Sequence, residues 1–405
     1  MPRDFAPDTS QFYRDGADAV FAELRSSDPV HWYEAAGFWC LTRQEEIREV
    51  SRQPRVFSSA HGLQMWQIQL VRDGGSSAPA GVDGAVSILE LDPPEHIAHR
   101  RLVTSAFKPR YIEQLEVRIR EIARATLDAC DPTGVIDLVE EIAVPLPMLV
   151  IAEMIGVPGS DRDRFRRWSD SMVEAGGGGT TDATIADLAE LFEYFSTSLV
   201  DHRDASADGP ADDIITLLQE AEIDGERLSE GAILMFLMTL LVAGNETTRN
   251  LIAGGARVLA DHPGQRAALA ADPSLIPNAV EEMLRWVTPV RSFIRRAVVD
   301  TTLAGTKIAA GDYVVMFYGS GNRDEAVFGE SADAFDITRA EANRHISFGF
   351  GEHLCLGAAL ARIEARIMFE ELLVRWPDWT LAGDAVPLES CLMNSLVHLP
   401  VRLQP

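Results

Sequence analysis

A cysteine closes a glycine-rich run, Phe348-Gly349-Phe350-Gly351-Glu352-His353-Leu354-Cys355-Leu356-Gly357, and a helical pattern from Ala358 to Trp376 follows at once. A thiol placed there meets the free N–H groups and the positive end of a helix, which favour the thiolate. A thiolate serves as a nucleophile or as a metal ligand. A nucleophile needs a histidine base and a third group to orient it. His353 lies two residues away on the same tight loop, where it cannot reach behind the sulfur. The metal-ligand role is therefore the stronger of the two.

Three more groupings carry chemistry. His96 and Arg100 stand four apart and share a helix face, a spacing that by itself reads as structural first. Ala243-Gly244-Asn245-Glu246-Thr247-Thr248 puts polar residues and a glycine in the middle of an apolar helix. Buried polar groups are costly, so this stretch predicts a local distortion that serves a site. Glu282 and Arg285, three apart, form a candidate bidentate pair.

The elements that hold these groups are mostly helical. Ser229 is an N-cap for a helix of some thirty residues ending near Ala260, apolar on nearly all sides from Ile233 to Val242. Asp92-Pro93-Pro94-Glu95 starts a helix to about Phe107, and a second spans about Tyr111 to Cys130. Glu140 to Ile155 reads as a helix kinked by Pro145 and Pro147. Gly176 to Gly179 reads as a hinge between two helices, a candidate lid. Val30–Tyr33 and Phe38–Leu41 read as a hairpin, and Ser390 to Leu403 as a final one. Ser58 to Ser87 reads as a long loop that walls a pocket. The expected class is mainly α with small β-sheets, one catalytic domain over 1–405, its β-rich parts at about 28–60 and 288–320.

Composition narrows the partners. The chain has 405 residues, 46% hydrophobic and 24% charged, which is typical of a soluble globular protein. A net charge of −26 repels phosphates and excludes nucleic acid. Residues 100–124 depart from that balance. Arg100, Arg101, Lys108, Arg110, Arg118, Arg120 and Arg124 face only Glu113, Glu116 and Glu121, a basic window able to steer an acidic partner. The four cysteines are too scattered for a disulfide frame or a zinc pattern. No signal peptide is read in the first ten residues, and the apolar run Ala232 to Ala243 is too short to span a bilayer. A cytoplasmic protein with no membrane anchor is expected.

Taken together, the motifs resemble those of the cytochrome P-450 haem-thiolate monooxygenases, in their soluble bacterial branch. Phe348, Gly351, Cys355 and Gly357 match the family's cysteine loop. Ala243, Gly244, Glu246, Thr247 and Thr248 match its oxygen-activating helix, and Glu282 with Arg285 its Glu-x-x-Arg helix. Asp92, Pro93, Pro94, His96 and Arg100 match its propionate helix. Asn322-Arg323-Asp324 and Phe335 to Arg339 resemble the meander before the loop.

The resemblance implies haem b as cofactor and O2 as co-substrate, in a triangular helical domain around a buried haem. Cys355 would be the axial thiolate, with Phe348 packed beside it and Gly349, Gly351 and Gly357 allowing close approach. His96, Arg100, Arg295 and His353 would receive the propionates. Arg295 is preferred over Arg296 by strand alternation. Glu246 and Thr247 would be the acid–alcohol pair, with Gly244 allowing a helix bulge. Glu282 and Arg285 would lock the meander, through Arg339. Candidate substrate walls are Leu63, Met65, Trp66 and Ile68, Met238, Val242 and Ala243, Val290, Ser292 and Met393, with Arg291 a candidate for a substrate carboxylate. These residues imply a hydrophobic small molecule, such as a steroid, terpenoid, fatty-acyl or polyketide-like compound. Electrons would come from a separate ferredoxin and its NAD(P)H-dependent reductase, docking near residues 100–124, Arg362 and Arg366, on a monomer. The alternatives are a peroxide-driven peroxygenase, and a haem sensor without turnover.

Overall fold

A computed structural model of the chain describes residues 5–14, 16–76, 84–104, 109–176, 181–205, 214–223 and 225–404. The strands used below are β1 (Val30–Tyr33), β2 (Phe38–Leu41), β3 (Phe57–Ser58), β4 (Ile136–Asp137), β5 (Ser292–Ala297), β6 (Tyr313–Phe317), β7 (Asp378–Leu381), β8 (Val386–Pro387), β9 (Leu396–His398) and β10 (Pro400–Gln404). The helices are α1 (Gln44–Ser51), α2 (Met65–Arg72), α3 (Glu95–Thr104), α4 (Pro109–Asp128), α5 (Pro145–Ile155), α6 (Arg162–Gly176), α7 (Glu230–Asp261), α8 (Ile276–Val287) and α9 (Ala358–Arg375).

Helix α7 is the axis of the molecule. The Ser229 hydroxyl accepts the Ala232 N–H at 3.1 Å and caps it. Its apolar residues are spent on α5, α6, α8 and α9, which pack around it. By length and composition α7 also passes for a membrane span, as the buried core helix of a soluble protein can. The helix runs unbroken through Gly244, so the expected bulge is absent. The reason lies on α5. A Cβ on Gly244 would sit 2.6 Å from Ile151 Cδ1, so the missing side chain lets two helices touch rather than opening one of them. The predicted kink ahead of α5 is present as a π-helical turn, Val139–Ala143, after which Pro145 opens α5 where no N–H is required.

The main sheet has the order β1-β2-β6-β5-β3. The hairpin β1–β2 pairs Trp32 with Trp39, and β6 runs parallel to β2 although most of the chain lies between them. Next to it, β5 is antiparallel to β6, with Val314 opposite Arg295.

Two expectations fail here. Residues 390–403 do not form one hairpin. Strand β9 pairs with β8, while β10 pairs with β7 and β4. Only Leu399 separates β9 from β10, too little chain for a turn, and its N–H and C=O bind Asp137 Oδ1 and Leu138 N. The loop 58–87 contains α2, whose start is closed by Gln67 Oε1 accepting the N–H groups of Leu63 and Gln64 at 2.8 and 2.9 Å. The hinge expected at Gly176 to Gly179 falls mostly outside the described residues.

Candidate active site

The cysteine loop is fixed from below by a buried ionic cluster. Arg285 donates to both oxygens of Glu282 at 2.7 Å, and to the carbonyls of Asn322, Ala332 and Ala334. Arg339 reaches the same carboxylate at 3.3 Å and binds the carbonyls of Phe328, Ser331 and Ala334. Neither Glu282 nor Arg285 is exposed at all. Their hydrogen bonds are complete, which is the condition under which a buried pair is tolerated. Asn322 passes the order on, accepting the Ile346 N–H at 2.7 Å and donating to Ser347 Oγ at 2.8 Å.

The loop then turns tightly. Cys355 N–H donates to Phe348 O at 2.9 Å, and Gly351, at φ +72°, presses on α1. A Cβ on Gly351 would lie 2.3 Å from Ser51 O, so only glycine fits. The Cys355 side chain lines the central cavity, and desolvation raises its thiol, opposed by the Gly357 N–H and the charges of Arg100 and Arg362. Helix-end electrostatics alone therefore do not produce the thiolate the sequence suggested. A bound metal cation deprotonates such a thiol outright.

A single cavity joins this loop to α7. Phe348, Gly349, Phe350, Cys355 and Leu360 line one part, and Phe236, Leu240, Ala243, Gly244 and Thr247 another. His96, Arg100, Arg295 and His353 all line it. The rings of His96 and His353 lie 4.1 Å apart. Burial, then Arg100 and Arg295, pushes His96 down to about 4. Burial, then Arg295 and His96, pushes His353 down to about 2. His96 Nδ1 is buried without a partner, and the only hydrogen bond found for the Arg295 guanidinium is to its neighbour's carbonyl, Ile294 O at 2.7 Å. The nearby carboxylate, Asp92, is committed to Ser58 and Ser59. Two guanidiniums and two imidazoles thus converge around one already committed carboxylate, Asp92. The two propionates of a haem would supply negative charge there, and the donor set fits such a group.

Facing that space, Thr247 donates its hydroxyl to Ala243 O at 2.6 Å. Glu246, 1% exposed, lies behind it, its carboxyl pushed up to about 7 by burial against the pull of Arg249. A second buried acid, Glu364 of α9, also lines the cavity and is pushed up to about 8 by burial.

Of the expected substrate walls, Leu63, Ala243 and Val290 line the cavity. Met65, Trp66, Met238, Val242, Met393 and Arg291 do not. Met65 packs with Phe38 and Ile68, Trp66 is 43% exposed, Met238 packs on the main core, and Met393 bridges Val290. Arg291 is turned away, its donors bound to Met393 O and Asn394 Oδ1 and its face stacked on Tyr13 at 4.3 Å. The sequence reading missed Ile88, Leu89, Phe236, Thr239, Leu240, Pro289 and Phe293. The α7 residues among them were findable. Counting back from Thr247 by helical steps gives 243, 240, 239 and 236, one face.

The basic window is mostly neutralised. Arg118 pairs with Glu153, Arg120 with Glu370 and Glu371, and Arg124 with Glu371. Arg366 pairs with Glu116 and Arg362 with Glu281. The side chains of Lys108 and Arg110 are outside the described residues.

The profile of the family described as Cytochrome P450 matches residues 181–404. The chain is 35% identical over 397 residues to a steroid C26-monooxygenase of Mycolicibacterium smegmatis, covering 97% of this chain and 94% of that protein. It is 36% identical to a linalool 8-monooxygenase of Pseudomonas putida, covering 95% of each. Its fold superimposes on the cytochrome P450 CYP109Q5 of Chondromyces apiculatus with a TM-score of 0.87 at 36% identity, over 100% of this chain and 99% of that one. With a cavity-lining thiol, two guanidiniums and two imidazoles converging on the same cavity, and these relatives, the chain belongs to the cytochrome P450 monooxygenases, enzymes that carry haem b and use O2.

Proposed function

We propose that this enzyme inserts one oxygen atom from O2 into a neutral, apolar small molecule of steroid or terpenoid size, with electrons from a separate ferredoxin and its NAD(P)H-dependent reductase. One observation carries the substrate half of the reading. All the cationic side chains lining the cavity belong to the cluster that faces the cofactor carboxylates. The remaining walls near α7 include the apolar Phe236, Leu240, Ala243, Val290 and Leu63, with the hydroxyls of Thr239, Thr247 and Thr248 as neutral polar groups among them. A free carboxylate would find no cationic partner there and would be costly to bury. The names of the relatives, a steroid and a linalool oxygenase, point the same way.

Bound haem would supply the activation of dioxygen. Cys355 would hold it, and the Gly357 N–H would moderate the charge on the sulfur. His96, Arg100, Arg295 and His353 would orient it through its carboxylates. Phe348, under the Arg362 guanidinium at 4.5 Å, keeps water from the sulfur. Glu246 titrates near neutrality, so it holds a proton and can release one, and Thr247 presents a hydroxyl between that acid and the cavity.

The dock for the acidic donor moves from the window at 100–124 to the unpaired guanidiniums. Among the described residues Arg48, Arg52 and Arg344 make no ion pair. Arg48 is depressed by burial and by the charges of the other two. Arg48 and Arg52 lie 4.8 and 4.6 Å from the Phe350 ring, on the cysteine loop itself. Monomeric, cytoplasmic protein completes the reading, supported by cysteines that are all unpaired.

The test is a reduced carbon-monoxide spectrum, followed by titrations of the haem spin state with neutral terpenoids and steroids and with their carboxylate analogues. Thiolate ligation and tighter binding of the neutral members are expected. Carboxylates binding tenfold tighter would reverse the substrate assignment, and rapid turnover on peroxide alone would replace the ferredoxin.

A further inference from the structure

Among the described residues, helices α6 and α7 meet through polar groups beside Glu246. Asn245 Nδ2 donates to Ser169 Oγ at 2.7 Å, with both residues buried. One residue on, Glu246 Oε2 lies 2.6 Å from Arg249 Nη2, across one turn of α7. That contact is close but poorly aligned. Neither carboxyl oxygen receives a well-directed hydrogen bond, and Arg249 Nε has no partner. Charge rather than a directed hydrogen bond holds the carboxyl. Asp170, next to Ser169 on α6, faces the same guanidinium. Burial pushes the Asp170 carboxyl up, and Arg249 followed by Arg166 pulls it down, while Glu140 adds a like charge. Asp170 in turn acts against ionisation of Glu246. Arg249 therefore serves two acids on two helices.

We propose that Arg249 is a positioning residue that divides its charge between Glu246 and Asp170, so that the placement of α6 decides how firmly the Glu246 carboxyl is held. This rests on the reading of Glu246 as the proton donor. When α6 brings Asp170 nearer, Arg249 is drawn off and Glu246 keeps its proton. When α6 recedes, Arg249 returns to Glu246 and favours the carboxylate. The Ser169–Asn245 bond keeps the two helices in register while this happens. Helix α6 and the acid behind Thr247 thereby share one cation.

The test needs no turnover. In the haem-free protein the infrared C=O stretch of the protonated Glu246 carboxyl is followed against pH and assigned by its loss in Glu246→Gln. Arg249→Gln should move the midpoint up by about one pH unit or more, because the stabilising charge is gone. Arg249→Lys should leave it near the parent value. Asp170→Asn should move it down, by a smaller step. In the haem-loaded enzyme the alkaline limb of product formed per electron should move in the same two directions, with the carbon-monoxide band unchanged. Midpoints that stay put, or that move together in Arg249→Gln and Asp170→Asn, would overturn the proposal. Loss of the thiolate carbon-monoxide band in the parent protein would instead strike at the monooxygenase reading.

Discussion

Arg285 and Arg295 lie ten residues apart and both are buried, but they keep different company. Arg285 has a carboxylate at 2.7 Å on two of its nitrogens and backbone carbonyls on the rest. Arg295 has a neighbour's carbonyl, two depressed histidines and another arginine. The first cluster is complete without any ligand and organises the chain. The second is short of negative charge and is completed from outside. In this fold, how fully a buried cation's charge is answered separates the scaffold from the site better than its burial does.

That contrast can be broken most forcefully at the closed cluster. Arg285→Ala leaves Glu282 buried and uncompensated, so unfolding in urea should show a loss of about 3–5 kcal/mol, with or without haem. Arg295→Ala should do the reverse. The haem-free protein should unfold at nearly the parent urea concentration, while haem passes to an acceptor globin about thirtyfold faster, reflecting some 2 kcal/mol of lost pairing. Equal effects of the two substitutions on haem-free stability would erase the distinction.

The histidines sharpen it through pH. His96 is held near 4 against an ordinary 6.5, so the unfolded chain binds more protons between those values. Stability of the haem-free protein is therefore full above about 6.5 and falls as pH drops toward 4. His96→Gln should flatten that fall, by an upper bound of about 3 kcal/mol at the acid end. Glu246 has the opposite sign. Its carboxyl is raised to about 7, so stability falls as pH rises from about 4.5 to 7, and Glu246→Gln should remove that slope. The smallest effect belongs to Arg291→Ala. With its guanidinium on Asn394 and Tyr13, binding of acidic and neutral ligands should stay within about twofold of the parent in spin-state titrations.

What the sequence disclosed follows from how local each signal is. The Ser229 cap, the Glu282–Arg285 spacing and the β1–β2 hairpin are written within a few residues, and the structure has them. The direction of a side chain is not. Strand alternation puts Arg291 and Arg295 on one face, yet Arg291 leaves it to meet residues a hundred positions away. Arg120 and Arg124 look unopposed until Glu370 and Glu371 arrive from α9. Gly244 reads equally as a bulge or as a contact, and only Ile151, nearly a hundred residues earlier, decides it. The start of α2 escaped notice because Gln67, not a serine or aspartate, closes it.

Gly351 has a consequence for recombination. Its bare Cα is moulded to the carbonyl of Ser51, three hundred residues upstream, and Arg48 and Arg52 flank the Phe350 ring from the same helix. A chimera that takes residues 44–52 from one relative and 346–357 from another would inherit a mismatched seam under the cofactor. The two segments form one heritable unit, and crossovers should be placed so that they travel together.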